Sequence, residues 1–84
     1  MFMHLGNNQV VPISDVVAIV NITPPLNDSL KTFIEKARSD KKMIEIGEKN
    51  KEKALIICTD QLYTSPISST TLYKRGNLSG MTEF

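Results

Sequence analysis

The sequence predicts a small α+β domain: an antiparallel or mixed β-sheet carrying one main helix and a short C-terminal helix, in the order β-β-α-β-β-β-α. Three observations predict it. The segments 15–22 (DVVAIVNI) and 54–58 (ALIIC) are apolar runs of strand length, rich in β-branched residues. Leu30, Phe33, Ile34 and Ala37 recur at i, i+3, i+4 and i+7, the stripe of an amphipathic helix. Proline and glycine punctuate the chain between these runs, as turns require.

Each element follows in order. MFMHL alternates and reads as a first strand over residues 1–5. Gly6-Asn7-Asn8 signals a tight turn, because Gly and Asn tolerate positive φ. QVVPIS resumes an extended path, interrupted near residues 12–14, since Pro12 cannot donate to a ladder. The hairpin's second arm then continues as the buried strand 15–22. Two prolines in TPPLNDS end it, and Asn27 or Asp28 caps the helix over 28–39. Asp28 at its start and Arg38, Lys41 and Lys42 near its end complement the helix dipole.

MIEIG, residues 43–47, alternates as a strand. Residues 47–53 form a charged loop before the central strand 54–58. Thr59-Asp60-Gln61 is a short connection, and QLYTSPIS is an extended arm ended by Pro66. In SSTTLYKRG, Ser68 or Ser69 caps a short helix over 69–75, Leu72 and Tyr73 dock inward, and Gly76 stops it. Residues 1–76 thus make one domain, and 77–84 (NLSGMTEF) read as a flexible tail.

At 84 residues the chain buries only roughly 60–65% of its unfolded surface, so its stability needs a supplement. One cysteine provides no disulfide framework, and one histidine with one cysteine provides no zinc set. Self-association is the remaining common supplement, and a homo-oligomer is expected. Ten Lys and Arg stand against nine Asp and Glu, formally +1. The overall balance therefore points to no partner, and only a local cluster of charge can. The start lacks the basic and apolar regions of a signal peptide, and the run 16–20 is too short to span a bilayer. A cytoplasmic protein without a membrane partner is expected.

Two stretches carry candidate chemistry. In EKNKEK, Lys49, Lys51 and Lys53 alternate with Asn50 and Glu52. If the segment is extended, the three ammonium groups share one face, roughly 6–7 Å apart, and suit a phosphate backbone. Lysine is a point charge, so backbone contact is favoured over base reading. The plain alternative is a solvated loop of mixed sign. The second stretch is SPISSTTLYKRG, where hydroxyls and helix N–H groups can hold an anion. Lys74 and Arg75 stand at the far end of that helix, where they also complement its dipole. Capping by Ser68 or Ser69 with packing by Leu72 and Tyr73 is the simpler reading, and docking of the helix on another subunit is a third.

His4 reads as a packed or interface histidine, and Cys58 as a buried, inert thiol. No phosphate loop, dinucleotide fingerprint, HExxH or CxxC occurs. The five aromatics Phe2, Phe33, Tyr63, Tyr73 and Phe84 are too dispersed for a base-stacking platform. No catalytic residue, cofactor or small-molecule substrate is expected, and the protein reads as no enzyme.

The chain resembles the extracellular-matrix regulatory protein family (RemA/RemB-like), on the RemB side. MFMHLGNNQVVPISDVVAI is similar to the family's start, and YTSPISSTTLYKR to its RemB-like ending; the middle is similar in pattern only. The resemblance implies a bacterial DNA-binding regulator of biofilm matrix genes, assembled as a ring that lays basic residues along double-stranded DNA. Carried over residue by residue, Lys51 and Lys53 match basic positions of that surface. Asn50 stands where RemA-like proteins have a guanidinium, and Asp15 replaces a cation just before the Val-rich strand, so part of that surface is absent. The reading is therefore DNA contact through Lys49, Lys51, Lys53, Lys74 and Arg75, with a protein-assembly module of the same fold as the alternative.

Overall fold

A central strand with opposite demands on its two faces organises the molecule, seen in a computed structural model that describes residues 1–76. The elements are β1 (Phe2–Gly6), β2 (Gln9–Pro12), a 3-10 turn (Ile13–Asp15), β3 (Val16–Asn21), α1 (Asp28–Ser39), β4 (Met43–Glu45), β5 (Ala54–Cys58), β6 (Leu62–Ser65) and α2 (Ser69–Gly76). They form a two-stranded sheet, β1-β2, and a four-stranded sheet in the order β3-β5-β6-β4. All pairs are antiparallel except β4 with β6. This is the expected α+β class with a mixed sheet.

The alternation of β5 builds two cores. Ala54, Ile56 and Cys58 point to one face, where they join Met3, Leu5 and Val11 of the hairpin, Val16, Ile19, Ile46 and Leu72. Leu55 points to the other, with Ile22 and Ile34, and Val20, Leu30, Met43 and Ile57 pack against them. The result is three layers: α1, the four-stranded sheet, and the hairpin together with α2. A continuous apolar run is what a strand covered on both faces needs.

The second arm of the first hairpin divides into two strands of different sheets. The 3-10 turn after Pro12 swings the chain out of the hairpin and into the large sheet, and Thr59 N–H donates to Asp15 C=O at 2.9 Å where β3 begins. A shift of register between Val16 and Ala18 marks a bulge at Val17, which faces solvent. Asn7 and Asn8, both at positive φ, form the two-residue hairpin loop that the sequence signals.

Both helices begin at a side-chain cap. Asn27 Oδ1 accepts from Leu30 N–H at 2.8 Å, and Ser68 Oγ accepts from Thr71 N–H at 3.3 Å. The apolar stripe of α1 is narrower than the spacing suggests. Ile34 and Ala37 are buried, whereas Phe33 stays 46% exposed at the rim. In α2, Leu72 is fully buried in this chain's own core and Tyr73 packs beside it, so the helix spends its apolar face on β1 and β3. The tail expected over 77–84 lies outside the described residues.

Candidate nucleic-acid interface

The lysine loop bridges an edge strand to the central one. Because β6 lies between β4 and β5, the chain leaving β4 must cross the end of β6 before it enters β5. It makes the crossing in anchored steps. Ile46 N–H donates to Thr64 C=O at 3.0 Å, and the Ile46 side chain is buried. Gly47 follows at φ +87°, with Pro66 so near that a Cβ would meet its Cγ at 3.0 Å. Only glycine fits both constraints.

A turn comes next. Lys51 N–H donates to Glu48 C=O at 3.2 Å, with Asn50 at φ +68°. A left-handed third residue is what such a turn asks for, and Asn supplies it. The alternation expected from Lys49 through Lys53 is therefore broken. Lys49 sits at the tip of the turn and does not lie in an extended row with the other two. Lys51 closes the turn and Lys53 lies where the backbone runs on into β5, and all three lysines are exposed.

Lys53 has the firmest support. Its N–H donates to Ser65 C=O at 2.8 Å and its C=O accepts from Ile22 N–H at 3.0 Å, so its backbone continues β5 between both neighbours. Ser65 in turn is buried. Its Oγ donates to Leu5 C=O at 2.6 Å and accepts from Ile67 N–H at 3.0 Å. One serine thus joins the lysine loop, the hairpin and the approach to α2.

Glu52 turns away from its lysine neighbours. Its carboxylate lies 3.6 Å from Nη2 of Arg38, in the last turn of α1. The same guanidinium grips Glu45 of β4, through Nε at 2.7 Å and Nη2 at 2.6 Å. Two shallow clefts meet at Arg38. One of about 290 Å³ lies between α1 and the loop, lined by Ile22, Leu26, Ile34, Glu35 and Asn50 among others. The other, about 330 Å³, reaches Gly47, Lys49 and Thr64. Sequence reasoning assigned Arg38 to the helix dipole alone. Its partners lie 7 and 14 positions away across two further elements, and no local pattern signals such a meeting.

The remaining candidates lie elsewhere. Lys74 and Arg75 are exposed at the last turn of α2, which begins just beyond Pro66 and so carries them about 8 Å from its own start. Asp15 is half-buried where the 3-10 turn meets β3, in a cleft with Cys58, Asp60, Gln61 and Tyr63. Cys58 is buried. Desolvation, with a smaller push from the Asp15 charge, raises its thiol from 9.0 to about 11. His4 pairs with Val10 across the hairpin on the outer face, beside Phe2, and all three are exposed. Among the described residues no group of three His, Cys, Asp or Glu gathers for a metal, and no helix is long and apolar enough to cross a membrane.

The family model for extracellular matrix regulatory protein A-like (RemA-like) proteins matches residues 2–75. The chain is also similar to the extracellular matrix regulatory protein B of Bacillus subtilis (strain 168). The two are 29% identical over 75 residues, which cover 89% of each.

Proposed function

The chain belongs to the RemA-like family of extracellular matrix regulatory proteins, and from that membership we propose that it is a cytoplasmic, homo-oligomeric regulator that binds double-stranded DNA through lysines, without catalysis. The observation that carries the proposal is the lysine loop. Lys51 and Lys53 are exposed on a backbone fixed at the head of the central strand, and the glutamate between them is drawn aside to Arg38. The fixed backbone places the two lysine stems, while their ammonium groups keep the freedom of flexible side chains. Ammonium groups give backbone contact, which positions a duplex but reads no sequence.

A formal charge of +1 is too small for one copy to hold DNA tightly. Repetition answers this: an assembly that presents the same few cations from every copy gains affinity by multivalency. The outer face of the hairpin supports assembly. Phe2 is 64% exposed and Val10 43%, both beside His4, and Met1 adds to the same end. That exposed apolar face also favours the second reading, a protein-assembly module that does not bind DNA.

Charge reversal tests the proposal. Lys51→Glu with Lys53→Glu should leave the fold and the oligomer intact and abolish duplex binding. Unchanged affinity of the double variant would remove the loop from the interface. Loss of binding on reversing Lys74 and Arg75 would add α2 to it.

A further inference from the structure

The segment from the end of β4 through the lysine loop, Glu45 to Lys53, is formally neutral. Between Glu45 and Lys53, Lys49, Lys51 and Lys53 face Glu45, Glu48 and Glu52. A neutral segment is a poor anchor for a polyanion. The three-dimensional arrangement changes this. One guanidinium takes both Glu45 and Glu52, and among the described residues no ion pair joins a carboxylate to Lys49, Lys51 or Lys53.

We propose that Arg38 is a positioning residue for the lysine loop: it holds the carboxylates of Glu45 and Glu52 against α1, and so leaves Lys51 and Lys53 available to phosphates. The inference rests on the DNA-binding reading above and deepens it. The geometry suits the role. Nε and Nη2 of Arg38 both engage Oε1 of Glu45, and the same Nη2 faces Oε1 of Glu52 at 3.6 Å, so one guanidinium lies against two carboxylates. Arg38 reaches both from the last turn of α1, the helix that Ile34 fastens to the sheet. The Glu52 side chain is 22% exposed, less than the 42% of Glu45, so of the two carboxylates it is the more sheltered beside Arg38. Released from Arg38, the Glu52 side chain would be free to approach Lys51 and Lys53 and compete with phosphate for them.

The test uses the full-length chain, a labelled duplex of about 30 base pairs and fluorescence anisotropy across a salt series. Arg38→Gln should weaken binding about fivefold per engaged subunit, on the order of one exposed ion pair, and lower the salt slope. Arg38→Gln combined with Glu52→Gln should recover affinity and slope. Glu52→Gln alone, which leaves the Arg38–Glu45 pair in place, should bind at least as well as the wild type. Thermal melting of each variant checks the fold. A loss in the Arg38 variant that Glu52→Gln fails to recover overturns the proposal, because the residue then acts through the fold. Weaker binding by Glu52→Gln alone overturns it too, and does so whether or not Arg38→Gln folds. Should the wild type bind no duplex, the DNA reading fails and takes this inference with it. Should the wild type bind and Arg38→Gln match it, only the inference fails.

Discussion

Ser65 and Cys58 show how much single side chains settle in a chain this small. Ser65 Oγ is buried and serves both Leu5 C=O and Ile67 N–H. Ser65→Ala strands both, so it should cost about 1–3 kcal/mol in urea denaturation. Nothing in YTSPIS distinguishes Ser65 from Ser68, because its partner Leu5 lies 60 positions away. Cys58 was legible as a buried thiol from its place at the end of an apolar run. Its raised pKa has a stability consequence. The folded chain keeps the proton up to about 11 while the unfolded chain releases it near 9.0. The thiol therefore costs nothing below about pH 9, and stability is lost as pH rises from there to about 11. The urea midpoint of the wild type should fall over that window more than the midpoint of Cys58→Ala, and equal falls would refute the assignment. The thiol should also resist alkylation at neutral pH until the chain unfolds.

Among the elements, α1, β5 and the short terminal helix announce themselves, because periodicity, capping residues and an apolar run all act within a few positions. The helix over Asp28–Ser39 and the strand over Ala54–Cys58 stand where the pattern puts them. What the pattern leaves open is non-local. The 3-10 turn that sends β2 and β3 into different sheets depends on which sheet each arm can reach. The turn at Asn50 breaks an alternation that looks continuous in EKNKEK. Gly47 makes the crossing of β6 possible, at positive φ and against Pro66. Gly47→Ala should therefore destabilise the fold by about 1–3 kcal/mol. It should also displace the lysine loop and weaken DNA binding, which denaturation and anisotropy on the same sample would separate.

For the molecule as a whole, three thin layers built from residues 1–76 leave Phe2, Val10, Val17, Phe33 and Ile44 substantially exposed. A monomer with so little core gains from covering part of that surface. Sedimentation should find the protein assembled at micromolar concentration. Phe2→Glu should shift it toward monomer if the hairpin's outer face is the contact, and an unshifted assembly would place the contact elsewhere. The arrangement of the candidate lysine loop was half legible. Lys51 and Lys53 stood out by their alternation, whereas Arg38, which draws the intervening carboxylate aside, belongs to a helix that only the fold brings near.

The central claim, that an assembly of this chain holds DNA through phosphate contacts, is tested most directly by titrating a labelled duplex of about 30 base pairs with the wild-type protein at several salt concentrations. The account predicts binding whose log affinity falls with log salt by several units, as several neutralised phosphates require. No binding at low salt and micromolar protein would contradict it.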